Sequence, residues 1–281
     1  MRPDYQGGSI VNLMASVATG LGGRSDYALA RDLPPDEIRA ARNVVLLVLD
    51  GLGYHQLTRA LGRGALCGNL RASLTSTFPS TTAAAITTFM TGLAPQAHGL
   101  TGWHMYFREI GAVLAVLPFR PRHGGPSLAA GGGITPGELL GHAPLGDALD
   151  AATFVVSPAA IVESDFNRAV SGRARRIGYR GVDEMFELVR GIVDAGAERK
   201  YVYAYYSEID SAAHEHGIAS AAVGAELARV DAALARFLAA IAGSGTLVIA
   251  TADHGFVDTR PDTVVELDEH PELAATLALP L

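Results

Sequence analysis

The sequence is short of cysteine, with Cys67 the single one. A disulfide within the chain is therefore excluded, and so is a thiolate zinc cluster. Any metal site has to draw on histidine and carboxylate. Positive charge is short as well: 22 Lys and Arg face 29 Asp and Glu, for a net charge of -7 and an isoelectric point near 5.7. No basic surplus is left to neutralise a phosphate backbone, so a nucleic-acid polymer is not expected as a partner. A small phosphorylated substrate needs only a local patch. Long apolar runs are missing too. The run from Ile10 to Leu21 is broken by Asn12, Ser16 and Thr19, Arg2 is followed by Asp4, and no cleavage site follows. It reads as a packed N-terminal segment rather than a membrane span or signal peptide, with the cytoplasm as the default setting.

What is plentiful is apolar residue, 49% of 281 positions and much of it alanine, at a mean hydropathy of +0.22. That suffices for a sizeable core, and the chain is read as a single α/β domain over 1–281. Three short apolar runs read as buried parallel strands: Asn43 to Leu49, Tyr201 to Tyr206 and Thr246 to Ala250. Helical patterns lie around Val182–Val193 and Val223–Ala242, the second with Leu227, Val230, Leu234 and Phe237 at helical spacing. Strands alternating with helices predict a mostly parallel sheet flanked by helices. The stretch 104–180 is rich in Pro and Gly and weak in periodicity, and is read as an insertion or cap over the sheet.

In such sheets ligands bind beyond the carboxyl ends of the strands. Those ends carry Asp50, then Glu208 and Asp210, then Asp253-His254. Asp210 and His214 are four apart, so one helical turn puts them on one face. Gly51 and Gly53 leave room for close approach. Taken singly, each of these residues is more ordinarily a turn former, a helix cap or a surface pair. Their coincidence at the ends of one inferred sheet favours a metal site. Oxygen and imidazole ligands without thiolate suit zinc, then manganese.

Between the first two strands, Thr82 to Met90 is predicted as a helix that ends at Gly92. A hydroxyl at its start, on Ser80, Thr81 or Thr82, either caps the helix or meets a phosphate held by free N–H groups and the helix dipole. Arg173, Arg175 and Arg176 form a short basic run, read first as a solvated face and second as a phosphate grip. Trp103, Tyr106 and Phe107 are either a stacking wall or core. Gly51-Leu52-Gly53 lacks a third glycine at Gln56 and is no dinucleotide fingerprint.

The segments LVLDGLG, FPSTTAAAITTFMTGLAPQAHGL, YYSEIDSAAHEHG and TADHG resemble, in order, those of the type I phosphodiesterase/nucleotide pyrophosphatase family of the alkaline phosphatase superfamily. The resemblance implies an alkaline-phosphatase-like core, two divalent metal ions and a threonine or serine nucleophile that becomes phosphorylated. It implies Asp50, Asp253 and His254 as ligands of one ion, and Asp210 and His214 as two of three ligands of the other. The family's nucleophile lies nine residues before the threonine of its Thr-Gly-Leu element, which from Thr91 gives Thr82, with Thr81 next and Thr77 third. Thr82 would then also touch the metal.

Two departures stand out. The family's nucleotide-hydrolysing members have an asparagine where this chain has Trp103. The family's last metal histidine lies well downstream of Asp-His-Gly, where this chain offers only His270; His216 is expected to face elsewhere on its helix. The expectation is a chain truncated at Leu281 and lacking part of its core and one ligand. The expected activity is metal-dependent hydrolysis of phosphodiesters or phosphoanhydrides. The alternatives are a phosphomutase or phosphotransferase on the same core, and a catalytically impaired metal-binding module. Nothing in the sequence sets the oligomeric state.

Overall fold

A computed structural model describes residues 2–277 apart from 61 and 63. Among these the strands are β1 (Asn43–Leu49), β2 (His104–Phe107), β3 (Ala112–Ala115), β4 (Arg120–Pro121), β5 (Ala152–Pro158), β6 (Arg175–Tyr179), β7 (Lys200–Tyr206) and β8 (Thr246–Thr251). β1 is buried at every residue because both its faces are covered. Val44, Leu46 and Val48 join one hydrophobic core, while Val45, Leu47 and Leu49 join another on the opposite face. The alternation of a strand explains the split.

The main sheet runs β6-β5-β7-β1-β8 and every pairing in it is parallel. The first core is closed by the helices Ile10–Gly20 and Thr82–Thr91, with Phe89 packed on Tyr203 at 6.5 Å between ring centroids. The second is closed by Val182–Asp194 and Ala221–Ala240, where Phe186 meets Phe237 at 5.1 Å. The expected α/β class, with helices on both faces, is what the chain adopts. The segment from Ile10, expected to be packed, is a buried helix. Among the described residues no helix is long and apolar enough to cross a membrane.

The stretch 104–180 divides. Residues 104–121 hold a separate antiparallel sheet, β2-β3-β4, but β5 and β6 belong to the main sheet. β6 carries Arg175 and Arg176, lies at the sheet edge and is only partly buried, so its apolar signal is weak.

Register sets the site. Leu49 pairs with Tyr206 and Val48 with Thr251, so the carboxyl ends of β7, β1 and β8 finish nearly level. The ladder runs one step further, with the Asp50 N–H donating to the Tyr206 carbonyl at 2.9 Å. The residues that follow each of these three strand ends are thereby delivered to the same edge of the sheet.

Candidate active site

Asp50 comes directly after β1 and is 2% exposed. The chain then turns at Gly51, whose φ of +74° suits glycine. A Cβ there would also strike the Phe256 ring at 2.6 Å and the Asp210 Cα at 3.1 Å. Two residues on, a Cβ at Gly53 would lie 2.8 Å from the Gly255 Cα. The loops after β1 and β8 thus touch backbone to backbone. Ser76 Oγ donates to the Asp253 carbonyl and ties the segment ahead of the Thr82 helix to the same place.

The carboxylates share a pattern. Asp253, fully buried, accepts on Oδ1 from the N–H groups of Gly51 at 3.0 Å and of His254 at 2.8 Å; among the described residues its Oδ2 has no hydrogen-bond partner. Asp50 accepts from the Tyr205 phenol on Oδ2, and its Oδ1 is unpartnered. Asp210, in the first turn of helix Glu208–His216, leaves its Oδ1 unpartnered as well. Three buried carboxylate oxygens without donors are costly unless a cation completes them.

His254 stands among them. Its Nε2 lies 3.5 Å from Asp50 Oδ1, 3.4 Å from Asp253 Oδ2 and 3.8 Å from Asp210 Oδ1. Ligand atoms of Asp50, Asp210 and His254 all lie within 4.8 Å of one another, a spacing that suits a shared ion. His214 Nε2 lies 3.6 Å from Asp210 Oδ1, and its side chain is 71% exposed. Phe256 sets its ring edge-on to both imidazoles, 5.0 Å from His214 and 5.6 Å from His254. Sequence reasoning missed Phe256 and Tyr205, because neither carries chemistry of its own.

Burial sets the protonation of these three carboxyl groups. Burial, then the neighbouring Asp253 charge, holds Asp50 well above the ordinary carboxylate range. Burial pushes Asp253 up to about 6 and raises Asp210 too. A cation would reverse each of these shifts.

The hydroxyls separate cleanly. Thr81 is the N-cap of helix Thr82–Thr91, its Oγ accepting from the Ala84 N–H at 3.4 Å. Thr77 Oγ donates to the Pro79 carbonyl at 3.1 Å, and so is also engaged. Thr82 is the first helical residue, and its Oγ lies 3.0 Å from His254 Nε2. Helix geometry leaves the N–H groups of Thr82 and Ala83 without intrahelical acceptors beside it. The helix ends at Gly92, φ +73°, as its sequence predicted.

Other candidates fall elsewhere. His216 pairs with Glu215 at 3.7 Å and His270 with Glu272 at 3.8 Å, and neither belongs to the group of Asp50, Asp210 and His254. The arginines are engaged structurally: Arg173 donates to the Leu149 carbonyl, Arg175 lies over Phe154 at 5.6 Å, and Arg176 meets Glu163 at 3.3 Å. Trp103 and Tyr106 are exposed, whereas Phe107 packs against the core.

Fold and site together define an α/β protein with a carboxylate–imidazole cluster and a hydroxyl at a helix start, placed at the carboxyl ends of parallel strands. The sequence profile of the type I phosphodiesterase / nucleotide pyrophosphatase family matches residues 44–278, and the chain belongs to that family. No curated protein matches in sequence. Among solved structures, murine ectonucleotide pyrophosphatase / phosphodiesterase 5, an inactive variant in complex with AMP, superposes with a TM-score of 0.61 at 16% identity. The match covers 81% of this chain and 60% of that one. The human counterpart gives 0.55 at 14% identity over 81% and 60% of the two chains. Phosphonoacetate hydrolase from Sinorhizobium meliloti 1021, in complex with phosphonoacetate, gives 0.50 at 17% over 79% and 59%. These likenesses establish the shared fold. The chain spans about 60% of the length of the first of them.

Proposed function

We propose that this chain hydrolyses phosphodiester or phosphoanhydride bonds through a phospho-threonine intermediate on Thr82. The observation that carries the reading is the place of the Thr82 hydroxyl. It stands at a helix start, 3.0 Å from His254 Nε2. His254 in turn faces the unpartnered oxygens of Asp50, Asp210 and Asp253. Two divalent ions, zinc first and manganese second, fit that donor set. Asp50, Asp253 and His254, with Thr82, would hold one; Asp210 and His214 would hold the other. Bound there, the ions would supply Lewis acidity to the phosphoryl oxygens and favour the alkoxide of Thr82.

The chain's own groups do the rest. The N–H groups of Thr82 and Ala83 and the positive helix end receive the phosphoryl anion. Thr82 Oγ releases its proton to solvent and attacks phosphorus; the bond from phosphorus to the leaving oxygen breaks, and the leaving group departs with a proton taken from solvent. Water then cleaves the Thr82 phosphoester and restores the hydroxyl. The murine relative, inactive as a threonine-to-alanine variant and bound to AMP, supports both a threonine and a nucleotide-sized substrate. Trp103, where nucleotide-hydrolysing members have an asparagine, argues against assigning a specific nucleotide.

One observation favours a second reading, a metal-binding module with impaired turnover. Of the pair proposed for the second ion, Asp210 groups with Asp50 and His254 instead, and His214 is largely exposed. One experiment addresses both readings. Zinc-loaded protein and Thr82→Ala are assayed on bis-p-nitrophenyl phosphate and on p-nitrophenyl phosphate, with metal content measured alongside. The expected result is diester turnover by the parent and a loss of at least about a thousandfold in the variant at unchanged metal content. Near-normal turnover by Thr82→Ala removes the nucleophile assignment; metal binding without turnover in the parent selects the second reading.

A further inference from the structure

We infer that Tyr205 is a positioning residue of the cation site, holding one oxygen of Asp50 so that the other alone is presented to the ion. This rests on the cation-site reading and adds a residue outside the ligand set. Strand alternation sends Tyr201, Tyr203 and Tyr205 of β7 to the same face, and all three are buried in the same core. Their tips meet different surroundings. Among the described residues the hydroxyls of Tyr201 and Tyr203 have no partner, and both residues line a cavity of about 20 Å³ together with Thr153 and Ser171. The Tyr205 hydroxyl alone of the three has an acceptor, Asp50 Oδ2.

Asp50 therefore has its two oxygens divided between two tasks. Oδ2 is engaged by the phenol, while Oδ1 is free and faces His254 Nε2 at 3.5 Å. A carboxylate torsion is broad when unrestrained, so without the phenol either oxygen, or both, would turn toward an ion. Asp253 is fixed in the same one-oxygen manner, but by the backbone N–H groups of Gly51 and His254. Those donors belong to the main chain. The Asp50 restraint comes from a side chain and can be removed by deleting one oxygen atom. Groups that orient ligands commonly contribute about 10–100-fold to metal affinity.

The test compares zinc binding by metal-free parent, Tyr205→Phe and Tyr203→Phe, through competition with a chromogenic chelator. Metal-free melting temperatures are recorded for all three. Phenylalanine keeps the ring packing in both variants. The expected result is zinc affinity about 10–100-fold weaker in Tyr205→Phe, a parental affinity in Tyr203→Phe, and turnover of Tyr205→Phe restored by excess zinc. Parental affinity in Tyr205→Phe overturns the inference, as does an equal loss in both variants, which would be an effect of the whole tyrosine face. A parent that binds no zinc overturns the cation-site reading itself, and is told apart from the other outcomes by the parent's titration alone.

Discussion

His98 is buried just past the C-terminal end of the helix that begins at Thr82, and its ring is committed on both nitrogens. Nδ1 accepts from the Leu100 N–H at 3.1 Å, so the proton of the neutral ring sits on Nε2, 3.3 Å from Thr88 Oγ. Burial pushes its pKa from 6.5 down to about 4. Neutral when folded and protonated when unfolded across that interval, His98 contributes stability that is complete above pH 6.5. That contribution is lost as pH falls toward about 4, by up to about 3 kcal/mol. Asp253 works in the opposite sense. Its folded value of about 6 lies above the ordinary 3.8, so its cost is full above about pH 6 and relieved as pH falls. The stability curve of the parent is therefore a difference of two trends, and a single variant separates them. His98→Gln should be less stable than the parent at pH 7, with the gap in urea midpoint closing as pH falls toward about 4. A gap that stays constant through that window would rule out a buried neutral His98 as its source.

At the scale of elements, the site depends on two loops meeting without side chains. Gly53 and Gly255 touch at their backbones, where a Cβ on Gly53 would lie 2.8 Å from the Gly255 Cα. Neither backbone yields as a flexible side chain would. Gly53→Ala is expected to cost about 1–3 kcal/mol and to weaken zinc binding, because it separates the Asp50 loop from the Asp253 loop. Gly224→Ala, at the fourth residue of helix Ala221–Ala240 with nothing near its Cβ, should instead stabilise by about 0.5–1 kcal/mol. Thermal melts and zinc titrations of the two variants would decide; equal, neutral effects would refute the close approach as a determinant of the site. The same elements show what a sequence reveals. β1 and β7 are buried on both faces, and helix Thr82–Thr91 is bounded by a threonine cap and Gly92, so their patterns are continuous and their ends marked. β5 and β6 were hidden by a Gly- and Pro-rich approach and by arginines on an edge strand. At the site, the strand-end carboxylates were legible, and so was the Asp210–His214 spacing. Which of three hydroxyls faces the cluster was not legible from residue type, since Thr77, Thr81 and Thr82 differ only in where their oxygens point. Tyr205 and Phe256 were invisible because their partners are supplied by the fold.

At the scale of the whole molecule, three strand ends force like charges together, and a cation is what would release that stress. The carboxyl groups of Asp50 and Asp253 are buried side by side, with Asp210 close by, in a chain whose net charge is already -7. An ion that binds only the folded chain adds stability as RT ln(1 + [L]/Kd), about 2.7 kcal/mol at a hundredfold excess over Kd. For a domain of this size that is a rise of about 5–10 °C in melting temperature. Protons compete for the same oxygens, and burial holds Asp253 at about 6 and Asp50 well above its usual range. The zinc-induced rise should therefore be small near pH 5 and grow as pH climbs through about 6 to about 8. Asp253→Asn gives the opposing sign in one protein. Its amide oxygen still accepts from Gly51 and His254, while the buried charge is gone. The metal-free variant should melt above the metal-free parent at about pH 8, and zinc should no longer raise its melting temperature. A loss of melting temperature in both conditions would mean that Asp253 serves the fold through its charge, and that the carboxylate cluster is not held in readiness for an ion.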